Sequence, residues 1–161
     1  MTSAPVQIRS FVEEDRAFLI DIMTRLVPEE TASPREPGAI ARYLSEQATG
    51  ARPFADGTKL FIAVDDSGQR LGLLGIRQDE DYFSGHPRAY VELLAVDEAA
   101  TGRGIGRALI DFAEEWARER HCHEIALDAF ATNDGALAFY ERVGFRPDHI
   151  RLSKSLRPGA K

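Results

Sequence analysis

From Ala100 to Cys122 the chain reads ATGRGIGRALIDFAEEWARERHC, three alternate glycines that run without interruption into an amphipathic pattern. From Ile105 the apolar residues fall at Ile105, Ala108, Leu109, Phe112, Ala113, Trp116 and Ala117, the i, i+3, i+4, i+7 spacing of a helix with one buried face. Burying Ile105, Leu109, Phe112 and Trp116 is worth roughly 6 to 12 kcal/mol as an upper bound, at about 1.5 to 3 per large side chain. Arg103 and Arg107 sit at the start of this helix, where the macrodipole is already positive and the first NH groups lack acceptors. Two cations there oppose the helix unless an anion joins them. Gly102, Gly104 and Gly106 let the backbone approach such an anion, and free NH groups with flanking arginines suit a phosphate or pyrophosphate. The plainer alternative is a flexible turn before a surface helix whose arginines are solvated.

Spacing narrows the phosphate ligand. A dinucleotide fingerprint, G-x-G-x-x-G or a terminal Ala, ends on Arg107 when started at Gly102 and on Leu109 when started at Gly104, so both registers fail. A Walker A loop needs a Lys after the last glycine, and none follows. The run Thr101-Gly102-Arg103-Gly104-Ile105-Gly106 instead resembles the acyl-CoA pyrophosphate loop of the GNAT superfamily of N-acyltransferases, with Thr101 where that family usually has Arg or Gln. A second block, Asn133 to Phe145 (NDGALAFYERVGF), is similar to the family's other signature, N-x-x-A-x-x-x-Y-x-x-x-G-F, and has Asn133, Ala136, Tyr140, Gly144 and Phe145 at every fixed position. Read alone, the same residues make a buried helix stripe closed by a left-handed glycine. The order of the two blocks, with a strand between them, makes the resemblance specific.

The resemblance implies roles for individual residues. Tyr140 would protonate the departing CoA thiolate, and a phenol suits this because it stays protonated at neutral pH. Asn133 would contact the cofactor, with helix capping as an equal alternative. The backbone of Leu94, Ala95 and Val96 would align the pantetheine arm as an added strand does, while Thr101, Gly102, Arg103, Gly104, Ile105, Gly106 and Arg107 would hold the pyrophosphate. Glu92 is the candidate general base. It is the one acid within the apolar strand YVELLAV, a carboxylate there is costly to bury unpartnered, and an amine attacks a thioester only after losing a proton. The alternative is a Glu paired with an arginine or turned to solvent.

At 161 residues the chain suffices for one domain, expected over 1–161 with 1–5 and 157–161 as loose tails. No export signal, membrane-length apolar run or basic block is visible, the formal net charge is −6, and Cys122 is the one cysteine. A cytoplasmic protein without nucleic-acid or membrane partners is expected, and a homodimer is left open. Strands are expected at Val6–Ser10, Lys59–Val64, Leu71–Gln78, Ala89–Val96 and Ile125–Phe130, with one or two more in Phe145–Ser155. Helices are expected at Phe18–Leu26, Ile40–Gln47, from Ile105, and from an Asn133 cap to Val143; Ser33, Pro34 and Glu36 are spaced as a capping box. The fold class is α/β (α+β), a mixed, mostly antiparallel GNAT sheet of about six or seven strands with about four helices.

His121, Cys122 and His123 lack further ligands to complete a metal site, so no metal is expected; His121 reads as a cation at a helix C-terminus. Either His86 or His149 could line an acceptor pocket. By the resemblance that pocket lies near Val27–Gly38 and after the middle strands. Both regions are acidic, with Glu29 and Glu30 in one and Asp79, Glu80 and Asp81 in the other, which favours a small cationic amine over a protein substrate. The expected activity is transfer of acetyl from acetyl-CoA to a primary amine by direct attack. The alternatives are a non-catalytic acyl-CoA sensor, a transferase using another acyl donor, and a phosphate-ligand enzyme unrelated to CoA.

Overall fold

The computed structural model describes residues 5–28 and 34–159. Five strands form one sheet in the order β1-β2-β3-β4-β5: β1 (Gln7–Ser10), β2 (Lys59–Val64), β3 (Arg70–Glu80), β4 (Pro87–Val96) and β5 (Glu124–Leu127). The first four pair antiparallel, and β5 joins β4 in parallel after a crossover through helix α3 (Ile105–Glu119). Helices α1 (Arg16–Thr24) and α2 (Ala39–Thr49) lie between β1 and β2 in the chain, and α4 (Asp134–Arg142) follows β5.

Each face of the sheet has its own core. On one, Leu74, Ile76, Ala89 and Val91 pack with Ile105, Leu109, Ala113, Trp116 and Ala117 of α3. On the other, Ile62, Leu73, Leu93 and Ala95 pack with Leu19, Ile22 and Met23 of α1 and Ala48 of α2. The α3 stripe is the one the spacing predicts, with two differences. Ile110 is also fully buried, and Phe112 is half-buried, edge-on to Phe61 at 4.7 Å between ring centroids. Gly72 lets α3 settle onto β3: a Cβ there would lie 3.0 Å from Leu109 Cδ1 and from the Ala95 carbonyl oxygen.

Three expectations from the sequence are corrected. The sheet has five strands, because the Phe145–Ser155 segment forms no ladder with any described strand. An alternating sequence makes a strand only where a backbone edge receives it. The stretch expected to start a helix at Pro34 does not, and α2 begins at Ala39 after Gly38, whose φ of 76° is open to glycine and strained for most other residues. Ser33, Glu29 and Glu30 lie outside the described residues. β5 is also shorter than expected, ending at Leu127 rather than Phe130.

The N-terminal strand is tied to the sheet by a buried charge. Asp15 is fully buried and accepts both Nη groups of Arg9 (2.7 and 2.9 Å), Nε of Arg70 (2.6 Å) and the Val12 amide (3.0 Å). The Arg9 hydrogen bonds, above all, hold its carboxyl far below its ordinary 3.8, with Val12 and Arg70 adding to the effect against the opposing influence of burial. A carboxylate with a depressed folded value stabilises the fold above its unfolded value and loses that contribution as pH falls. Asp15→Asn is therefore expected to lower stability by about 3 kcal/mol at neutral pH, the low end for breaking a buried pair because both arginines keep some exposure. Chemical denaturation should also show the wild type losing more stability than the variant between about pH 5 and pH 3.

Candidate active site

β4 pairs with β3 along its whole length but with β5 only from Arg88 to Val91, opposite Glu124 to Leu127. From Glu92 to Val96 the β5-facing edge of β4 has no strand partner. At that same point the β3 register shifts: Gly75 opposes Leu93 and Ile76 opposes Val91, leaving Glu92 unmatched in a bulge. A bulge re-aims side chains. Val91 packs on the α3 side and Leu93 on the α1 side, so the alternation is broken and Glu92 emerges on the same side as Leu93.

There the Glu92 carboxylate meets two partners that the sequence did not point to. Thr58 Oγ1 donates to Oε2 at 2.8 Å and Arg77 Nε to Oε1 at 3.0 Å, and only 15% of the side chain is exposed. The carboxylate is thus paired with an arginine and not turned to solvent. The pairing leaves capacity for more, since an ionised carboxylate offers about four acceptor positions. Arg77 also contacts Asp79 at 3.1 Å and lies over the Tyr90 ring at 4.7 Å; Tyr90 in turn donates to Asp128 at 2.8 Å. Burial first, and then Asp128, raises the Tyr90 hydroxyl well above its ordinary value, so it stays a donor. Arg77 was within reach of a register argument along the β3–β4 hairpin. Thr58, 34 residues away in a loop, carried no signal.

Beyond β4 a short 3-10 turn (Glu98–Ala100) delivers the chain to the glycine loop. Gly102 and Gly104 both have φ of 79°, with open space where a Cβ would stand, so they are needed for backbone conformation. Such alternating turns aim successive amides at one point. Thr101 N and Arg103 N bond to the Glu98 and Ala100 carbonyls, and Ala108 is the first residue of α3 to bond back, to the Gly104 carbonyl, which leaves the amides of Ile105, Gly106 and Arg107 without a helical acceptor. Gly106 serves differently. Its φ is not left-handed, and a Cβ there would lie 3.0 Å from Phe139 Cζ, so it lets α4 close against the first turn of α3. The arginines are partly balanced by acids: Arg107 turns back to Asp111 at 2.9 Å, and Arg103 helps hold the Asp65 carboxyl low, after the Ser67 and Gln69 hydrogen bonds to it.

The contact through Gly106 sets α4 beside the loop. Asn133 Oδ1 accepts from the Ala136 amide at 3.0 Å, so it caps α4 and keeps its amino group free to donate. Tyr140 lies between Phe139 and Phe145, with centroids at 5.3 and 5.6 Å, and burial raises its hydroxyl above the ordinary value. Gly144, at φ of 105°, ends the helix as its sequence implies. The structure thus sets the first turn of α3 against Val96 at the end of β4 and against Phe139 of α4, the helix that carries Tyr140 and is capped by Asn133, while Leu94, Ala95 and Val96 lie on the stretch of β4 that β5 does not pair and Glu92 stands at its start.

Other candidates resolve differently. His121 has φ of 55° and closes α3 in a left-handed turn, with Cys122 N bonding back to the Ala117 carbonyl. His123 stacks on His86 at 4.3 Å between centroids. No cluster of three or more metal-ligating side chains occurs among the described residues. Asp79 and Asp81 contact Arg77 and Arg88, so this acidic run is largely paired internally. No helix among the described residues is long and apolar enough to cross a membrane.

Residues 20–145 match the model of the Acetyltransferase (GNAT) family. The chain belongs to the GNAT family of acetyltransferases. It is 34% identical over 148 residues to aminoglycoside N(6')-acetyltransferase type 1 of Klebsiella aerogenes, covering 90% of this chain and 91% of that one. Several further curated relatives are matched over no more than 59% of their own length. Among solved structures, a transcriptional regulator from Bacillus halodurans C-125 superposes with a TM-score of 0.69 at 28% identity, covering 94% of this chain and all of that one. Aminoglycoside 6'-N-acetyltransferase AAC(6')-Ih of Acinetobacter baumannii shares the fold at a TM-score of 0.69 and 20% identity, over 96% and 100%. For this GNAT protein Gly104→Ala is expected to cost about 1 to 2 kcal/mol of backbone strain, lowering the thermal midpoint by roughly 2 to 8 °C. Thermal unfolding without ligand checks it.

Proposed function

We propose that this chain moves the acetyl group of acetyl-CoA onto a primary amine of a small cationic acceptor, of the aminoglycoside kind, by direct attack of the amine on the thioester. The observation that carries the reading is Glu92, a held carboxylate raised on a bulge at the point where β4 parts from β5. The relative matched over nearly its full length, named for acetyl transfer to an aminoglycoside, supports the acceptor class. A net charge of −6 favours approach of a polycation.

The donor supplies an acetyl group already activated as a thioester. Its pyrophosphate fits the glycine loop and the amides of Ile105, Gly106 and Arg107 that lack helical acceptors at the N-terminus of α3, and its amide-bearing arm fits the unpaired edge of β4 from Glu92 to Val96. As the new N–C bond forms, Glu92 takes the amine proton, directly or through one water, on an oxygen position left open by Thr58 and Arg77. As the C–S bond breaks, the Tyr140 hydroxyl gives its proton to sulfur, a role suited by the burial that keeps it protonated. No acyl-enzyme is needed.

Thermal unfolding with acetyl-CoA, CoA and NAD tests the donor. At about 100 times Kd the two CoA species are expected to stabilise by roughly 2.7 kcal/mol, and NAD not at all. Acetylation of an aminoglycoside panel, followed by thiol release, tests turnover. Stabilisation without transfer to any amine would turn the reading into that of an acyl-CoA sensor. Glu92→Gln is expected to lower kcat/KM by about 10² to 10⁴-fold and Tyr140→Phe to lower kcat by about 10 to 10⁴-fold, both with the CoA thermal shift retained. Unaltered rates would remove the respective role.

A further inference from the structure

A cavity of about 460 Å³ lies where the end of β1, the start of β2, the first residue of α1 and the C-terminal turn of α2 come together. Its size is that of a small-ligand site, about 300 to 1,000 Å³. Three cations line it, Arg16, Arg52 and Lys59, and no acid does, in a chain whose formal net charge is −6. Phe11, Phe54 and Phe61 supply apolar wall. A cationic amine is repelled by such a lining, so the cavity is not part of the path by which the proposed acceptor reaches Glu92.

The two arginines are held in place. Arg16 pairs with Glu13 through Nε and Nη2, both at 2.9 Å, donates to the Ala48 carbonyl at 3.2 Å and lies over the Phe11 ring at 5.2 Å. Arg52 pairs with Glu46 at 2.8 Å along one edge of its guanidinium and lies over the Tyr43 ring at 5.2 Å. Each keeps N–H groups without an acceptor, fixed before any ligand arrives. Lys59 is exposed and has no ion-pair partner among the described residues. Gln47 adds an independent sign of a ligand. The residue is only 6% exposed, its Nε2 donates to the Tyr43 hydroxyl at 3.1 Å, and its Oε1, on the cavity it lines, accepts from no group of the protein. A polar atom so nearly buried calls for a donor.

We infer that this cavity is a second ligand site, for a small aromatic carboxylate that carries an N–H or O–H donor. Its carboxylate is matched by the free N–H groups of the two arginines and by Lys59, its ring by the three phenylalanines, and its donor by Gln47 Oε1. A phosphate ester suits the place less well. The cavity adjoins the C-terminal turn of α2, where the helix dipole is negative, and its wall is partly aromatic, so one charge on an apolar body fits better than a dianion. Thr58 lines the same cavity, with the Ala55 carbonyl at 2.7 Å and Glu92 Oε2 at 2.8 Å from its hydroxyl. An occupant therefore stands one side chain away from Glu92.

N-acetyl-L-phenylalanine serves as the probe and its uncharged amide, N-acetyl-L-phenylalaninamide, as the control. Calorimetric titration of the full chain is expected to give a Kd below about 1 mM for the acid and binding about tenfold weaker for the amide. Backbone amide resonances of residues 47–61 should shift, and those of Ile105 to Arg107, the other stretch suited to an anion, should not. Lys59→Glu, at an exposed position, and Gln47→Leu, which nearly keeps the side-chain volume, should each weaken the acid about tenfold with unchanged circular dichroism. Should Gln47→Leu not fold, Lys59→Glu decides. No saturable binding of the acid, equal binding of acid and amide, shifts at Ile105 to Arg107 in place of residues 47–61, or full affinity in Lys59→Glu would each overturn the inference. None of these readouts needs acetyl transfer, so failure here is distinct from failure of the proposed function.

Discussion

A strand paired on both edges has no backbone left to offer a ligand, and β4 is paired on both edges for only its first few residues. Its β3 edge is laddered throughout, while β5 accompanies it no further than Val91. The rest of the architecture follows from that parting. The core on each face keeps β4 in place without β5: Leu94 and Val96 pack toward α3, and Leu93 and Ala95 toward α1. Hydrophobic packing thus takes over where hydrogen bonding stops, and the exposed edge stays straight enough to act as half of a ladder.

The bulge at Glu92 adds a charge to this edge. Were the alternation unbroken, residue 92 would be followed by a residue on the opposite face; instead Glu92 and Leu93 share one side, and the carboxylate rises beside Thr58 and Arg77. Those two partners hold it in one orientation and offset the desolvation that a lone carboxylate in a strand would suffer. They also differ in distance along the chain. Arg77 belongs to the neighbouring strand and is placed by the same register that makes the bulge. Thr58 arrives from the loop before β2.

Elements with a strong local period were legible in the sequence: β2 matches its expected span, and α3 starts at Ile105 as the glycine pattern indicates. What could not be read were facts that depend on two distant segments at once. The Asp15 pair with Arg9 and Arg70 joins three elements, and the Glu92 partners come from 15 and 34 residues away. The final strands failed for a related reason: the period is present from Ile150 to Leu156, but a period states only that a strand can form, and no described edge receives it. His121 stands at the end of α3 where the sequence put it, but its left-handed φ of 55°, a conformation more often given to glycine, has no signature in the apolar period.

The three alternate glycines look equivalent in sequence, and their separate duties explain why the loop and the tyrosine helix stand together. Gly102 and Gly104 hold the backbone in a left-handed conformation, and nothing crowds the space their side chains would fill. Gly106 has ordinary backbone angles and is small because Phe139 stands against it. A side chain at Gly106 would press on α4, and through α4 on Tyr140, the next residue after Phe139. The residue that shapes the start of α3 and the residue that seats α4 are therefore two positions apart, and under the proposed function the pyrophosphate site and the proton donor would be linked by that packing.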